Sequence, residues 1–218
     1  MAAEEDSERP RRGRPVALGA GERRERILDA LAEVFRESGM SGTTMAAVAR
    51  RAGMSKRTVY EVFDDRAALF AAYLSRLRHE FVQPLDDAAR ALPLEERLRR
   101  LLAPRAYASS FDLPLAVLRA MIAEGPERPD MARTFLAEGP GAIRELIRAE
   151  LDRAVARGEA TIADTGAAAA LLADMIRPSP LDVLIDPASL PGDAAIQARF
   201  DLAIRVFLRG VADGPAAT

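Results

Sequence analysis

The chain has 218 residues with no cysteine, no tryptophan and one histidine, His79, which excludes thiolate chemistry, disulfides, sulfur-ligated zinc and multi-histidine metal sites. Its formal net charge of −2 hides a polarised distribution: −4 over residues 1–8, +7 over residues 9–60 and −5 over residues 61–218. A basic quarter on an acidic remainder suits a chain whose one end meets a polyanion. There is no apolar run of the roughly 18 residues that cross a membrane and no secretory signal, so a cytoplasmic location is expected.

Alanine, leucine and arginine recur at helical spacing and no stretch alternates with period two, so an all-α fold is expected. Residues 1–21, with Pro10, Gly13, Pro15, Gly19 and Gly21, read as a disordered basic arm. A first helix is predicted from Glu22 to Ser38, with Ile27, Leu28, Leu31, Val34 and Phe35 on one face and Gly39 closing it. Thr44 is placed to cap a short helix over Met45–Arg51, which Gly53 breaks. Ser55 is placed to cap another, ending near Phe63. Asp64 or Asp65 then caps a long helix from Arg66 that must stop or kink at Pro84.

Further on, prolines and glycines divide predicted helices near 94–108, 113–124, 128–138 and 142–157, with Gly139-Pro140-Gly141 separating the last two. A helix over Asp164–Arg177, a four-proline loop over Pro178–Gly192 and a closing helix over Asp193–Val211 complete a helical-bundle architecture. The expected domains are the arm 1–21, a DNA-binding unit 22–68, a bundle 69–212 and a flexible tail 213–218.

The stretch Thr43–Phe70, TTMAAVARRAGMSKRTVYEVFDDRAALF, places two short helices around a turn at Gly53-Met54-Ser55. This is the helix-turn-helix arrangement, in which the second helix enters the major groove. Small Val48, Ala49 and Ala52 allow a close crossing, and Val59 and Phe63 share an inward face. Ser55, Lys56, Arg57, Thr58 and Tyr60 populate the front of the second helix with donors.

This segment resembles the tetracycline-repressor (TetR) family. Its core pattern stands here as Ala49, Ala52, Gly53, Met54, Ser55, Thr58, Val59, Tyr60 and Phe63. The region from VLRAMIAEGPERPDMARTFLAEGP to AIRVFLRG is similar to the AefR-like branch. The resemblance implies an N-terminal three-helix DNA-binding domain and a C-terminal helical bundle for ligand binding and dimerisation. It implies that Thr44 caps helix two at a phosphate, that Ser55 and Tyr60 contact phosphate, and that Lys56, Arg57 and Thr58 face bases or phosphates. Arg66 would lie near phosphate at the start of helix four. The sequence departs from the family pattern at Ala46, Ala47, Glu61 and Val62, with Glu61 expected to point away from DNA.

Within the arm, Arg12-Gly13-Arg14-Pro15 resembles an AT-hook, whose arginines lie in a narrow minor groove; a basic tail giving nonspecific attraction is the other reading of Arg12 and Arg14. By the resemblance, Tyr107, Phe111, Met121 and Phe135 are candidates for an effector pocket, although each reads first as a core residue. Leu171, Leu172, Met175, Phe200, Ile204 and Phe207 form an apolar stripe read as a homodimer interface rather than an intramolecular core.

The expected protein is a DNA-binding regulator: a homodimeric repressor released from a palindromic operator by an unidentified small molecule. The alternative is an architectural DNA-binding protein without an effector. With one histidine and no cysteine, no enzymatic role, metal or cofactor is expected.

Overall fold

The computed structural model describes residues 19–79, 81–104 and 112–212. Most of the expected arm, with Arg12 and Arg14, lies outside those residues, as do Tyr107, Phe111 and the tail 213–218. Among the described residues the regular structure is helical, with no strand.

Three helices form the N-terminal head. Helix α1 spans Ala20–Gly42, two residues earlier at its start than the periodicity suggests, because the Gly19 amide donates to Glu22 Oε2 at 2.8 Å. Its last turn kinks at Gly39, at φ 63°. The kink leaves helix-end carbonyls without intrahelical donors. Thr43 Oγ1 donates to the Gly39 carbonyl at 2.7 Å, and the Arg66 guanidinium donates to that of Met40.

Helix α2 spans Met45–Ala52, with Thr44 Oγ1 accepting from the Ala47 amide at 3.1 Å. It ends on Gly53 in the left-handed region, at φ 67°, which only glycine adopts freely. Helix α3 spans Lys56–Tyr60 and is capped by Ser55, whose Oγ accepts from the Thr58 amide at 3.1 Å. Asp65 caps α4, Arg66–Arg78, which stops well before Pro84.

A short helix α5, Asp87–Arg90, which hydrophobic periodicity does not signal, leads to α6, Leu94–Leu102. Helix α7 spans Asp112–Glu124 and α8 spans Pro129–Leu136. The Gly139-Pro140-Gly141 break expected after α8 does not form. A π-turn over Ala137–Gly141 carries the helical backbone into α9, Ala142–Ala156. The wider turn accommodates the proline without a donor, and Gly141 is required there, since a Cβ would lie 2.7 Å from the Leu136 carbonyl oxygen. Helix α10 spans Thr165–Met175. The expected loop Pro178–Gly192 holds helix α11, Pro180–Ile185, with Pro180 in its first turn and Ser179 as cap. Helix α12, Asp193–Ala212, closes the chain.

Two cores hold these elements. The first joins Ile27, Leu31, Phe35, Val48, Ala52, Val59, Phe63, Phe70 and Tyr73 of the head and α4 to Val117 and Met121 of α7. The second joins α6, α9, α10 and α12 through Leu98, Ile147, Leu151, Leu172, Phe200 and Ile204. Helix α4 therefore belongs to the packing of both head and body, across the boundary expected at residues 68–69.

Candidate nucleic-acid interface and ligand cavity

Local chemistry builds the head's turn. The caps of Thr44 and Ser55 start α2 and α3, while the Gly53 and Met54 amides close α2 by donating to the Arg50 and Ala49 carbonyls at 3.2 and 2.9 Å. Val59, fully buried, pins α3 onto the head, and Arg51 ties α2 to α1 through Glu33 and Glu37. That pairing holds the Glu37 carboxyl below its usual range through the Arg51 hydrogen bond, and raises Arg51 in turn. The unit presents Thr44, Ser55, Lys56, Arg57 and Tyr60 exposed, with Thr58 half-buried. Ser55 Oγ and Thr58 Oγ1 also lie 2.9 Å apart, so both hydroxyls serve the start of α3.

Two expectations change here. Arg66 is turned inward to the Met40 carbonyl, closing the helix end opened by the Gly39 kink, and is not presented with the exposed donors. Burial, with the neighbouring Arg128 charge, lowers its pKa. Glu61 does not stand apart from the basic face: its Oε1 accepts from Arg57 Nε at 3.1 Å. The geometry also adds a residue that periodicity did not single out. Arg26, on the exposed side of α1, sits over the turn, since a Cβ on Gly53 would lie 3.4 Å from Arg26 Nη2. The pairing of Arg26 with the turn depends on contact between residues far apart in sequence, which helical spacing cannot signal.

A cavity of about 550 Å³ lies behind the head. Its wall includes Leu74, Leu77 and Arg78 of α4, Val117 and Leu118 of α7, Phe135 of α8, the π-turn residues Gly139 and Pro140, and Ile143 and Arg144 of α9. Phe135 lines it as expected for a pocket residue. Met121 does not: it is buried in the core shared with the head, one helical turn beyond Val117 and Leu118.

The sequence profile of bacterial regulatory proteins of the tetR family matches residues 27–73, and that of the AefR-like transcriptional repressor C-terminal domain matches residues 98–210, more than half of the chain. The chain belongs to the TetR family. SrpR, an HTH-type transcriptional regulator of Pseudomonas putida, is 27% identical over 150 residues, 68% of each chain. YhgD, an uncharacterized HTH-type regulator of Bacillus subtilis (strain 168), is 34% identical over 82 residues, 37% of this chain and 43% of YhgD, so the chain spans less than half the length of that relative. The structure of the flavonoid-responsive regulator FrrA superposes with a TM-score of 0.63 at 25% identity, covering 90% of this chain and all of that one.

The TetR chain is thus a transcriptional regulator of the DNA-binding repressor class, with a helix-turn-helix head and a helical body; its relatives are regulators and not enzymes. No helix among the described residues is long and apolar enough to cross a membrane. In this TetR protein, head and body are bridged by polar contacts as well as by the shared core. Ser41 Oγ donates to Glu124 Oε2 at 2.8 Å, and Arg128 reaches both, at 3.3 Å to Ser41 Oγ and 3.5 Å to Glu124 Oε2.

The apolar stripe expected at a dimer interface is largely internal. Leu172, Phe200, Ile204 and Phe207 are buried within the single chain, Met175 is partly buried against the same core, and only Leu171 is exposed. Helices α10 and α12 carry apolar residues on two faces. The stripe found by spacing closes the body's core, and the outer face shows Leu171, Leu202 and Val206, each more than half exposed.

Proposed function

We propose that this TetR-family regulator binds a palindromic operator as a homodimer and leaves it when a small molecule occupies the cavity. The observation that carries the reading is the reach of α4: it starts against α1, and in its far half Leu74, Leu77 and Arg78 are cavity wall. A ligand that binds one tilt of α4 better than another biases the placement of the reading head. A differential affinity of a few kcal/mol is enough to shift such an equilibrium. The name of FrrA, a responsive regulator of the same fold, supports ligand control.

The head would lay α3 in the major groove, with Lys56 and Arg57 as base readers, Thr44, Ser55, Thr58 and Tyr60 around them, and Arg26 as a further phosphate contact. The outer face of α10 and α12 would pair with its copy around a two-fold axis, centred on Leu171, Leu202 and Val206. Two heads about 34–36 Å apart then read successive major grooves. Selection of bound duplexes from a random pool tests the reading. The wild type should enrich an inverted repeat, and a Lys56→Ala/Arg57→Ala variant should lose the enrichment. A pool that stays random with the wild type overturns it.

A further inference from the structure

The cavity's charge says what class of molecule it takes, an inference that rests on the effector role just proposed. Its described lining is largely apolar, with Leu74, Leu77, Val117, Leu118, Phe135 and Ile143. The lining also holds four arginines, Arg78, Arg144, Arg177 and Arg199, and one carboxylate, Asp174, while Glu138 Oε2 lies 3.6 Å from Arg78 Nη1.

The arginines differ in how firmly they are held. Arg78 is committed to the wall: its Nη1 donates to the Glu138 carbonyl at 2.6 Å and its Nη2 to Ser75 Oγ at 3.0 Å, supporting the π-turn. Arg177 lies over the Phe81 ring, 5.7 Å from its centroid. Arg144 and Arg199 are held loosely, and by the same residue. Arg144 Nη2 is 3.9 Å from Asp174 Oδ1, the outer limit of an ion pair, and Arg199 Nη2 reaches the Asp174 carbonyl at 3.5 Å. Asp174 itself is largely solvated, so neither guanidinium gives up a strong partner on turning to a ligand.

We infer that the cavity binds an amphipathic carboxylate: an apolar body against the leucine and phenylalanine wall, with its anionic head between Arg144 and Arg199. A carboxylate accepts from planar guanidinium forks, and such charge-assisted bonds are stronger than neutral ones. An uncharged ligand of equal shape would gain no such charge-assisted bond. The alkyl and aryl forms share this chemistry, and the probes below separate them.

Calorimetric titration of the full chain without DNA tests the assignment. The probes are decanoate and 2-naphthoate, each against its uncharged alcohol, decan-1-ol and 2-naphthalenemethanol. At least one acid should bind about tenfold more tightly than its alcohol, as expected for a gained charge-assisted bond. The better acid reports whether the body is alkyl or aryl. In an Arg144→Gln/Arg199→Gln variant, both positions being exposed, the preference should fall to about twofold with thermal stability unchanged. Equal binding of acid and alcohol, or a preference that survives in the variant, overturns the inference. If no probe binds while the wild type still enriches an inverted repeat, the carboxylate assignment fails and operator binding stands.

Discussion

In the DNA-free structure, Arg57 is held through Nε by Glu61 at 3.1 Å, an exposed pair one helical turn apart. An exposed pair of this kind is easily opened, so its effect on binding comes less from the pairing than from the sign of Glu61 beside a polyanion. A unit charge about 8 Å from a phosphate is worth about 0.5 kcal/mol in water. Glu61→Gln should therefore tighten binding to cognate and nonspecific duplexes alike, about twofold at low salt, with the gain fading as salt screens it. Fluorescence anisotropy at two salt concentrations checks this; unchanged affinity at low salt would count against the placement of Glu61 at the DNA face. The residues that set the local turn chemistry, Thr44, Ser55 and Gly53, were legible because each acts on backbone groups within a few positions of itself, and the cap of α4 was legible to within one residue, Asp64 or Asp65. Arg66 was not. Its inward turn adds a second donor to the Met40 carbonyl, 26 residues away in sequence, beside the Thr43 amide at 3.2 Å.

Among the elements, helix α6 carries the least expected residue, Arg97, fully buried in the body. Its Nε lies 2.8 Å from Glu150 Oε2, and its Nη1 reaches Glu159 at 3.0 Å and the Leu92 carbonyl at 2.6 Å. In sequence Arg97 is one of several charged residues on an amphipathic helix, and nothing local separates it from its solvated neighbours Glu96 and Arg100. Burial comes from the closure of α6 on α9, which single-helix periodicity does not reveal. Removing one partner of a buried pair leaves an uncompensated charge. Arg97→Met should cost about 3 kcal/mol in urea unfolding at pH 7, and adding Glu150→Leu should recover more than half of it. A single-variant loss within experimental error would contradict the burial of this network.

The same network makes a pH prediction of definite sign. Burial pushes the Glu159 carboxyl up, but hydrogen bonds and charge from Arg97 and Arg157 outweigh it, and the net shift is downward. A carboxyl lowered in the folded state contributes stability above its unfolded value. That contribution is lost as pH falls through the lower folded value. The stability difference between wild type and Glu159→Gln should therefore be present at neutral pH and vanish in acid, below the ordinary carboxylate range. A difference that persists undiminished in acid would remove Arg97 and Arg157 as its cause.

For the molecule as a whole, α4 lies in the core that ties the head to α7, and the outer face of α10 and α12 remains exposed in the single chain. The sequence made the all-α fold and the head legible, since both follow from short-range spacing and caps. It did not distinguish the two apolar faces of α12, because Phe200, Ile204 and Phe207 and the exposed pair Leu202 and Val206 both follow helical spacing. Only the packing of α12 against α6 and α10 selects which face turns inward. The same holds for the cavity, whose lining is drawn from residues separated by more than a hundred positions. Nuclease footprinting of the selected inverted repeat, with wild type and a Leu202→Asp/Val206→Asp variant, tests whether the repressor is symmetric and reads DNA through α3. The wild type should protect both half-sites together at one protein concentration, and the variant should need far higher concentrations. Protection of a single half-site by the wild type, or equal protection by the variant, would rule out a symmetric dimer paired through this face.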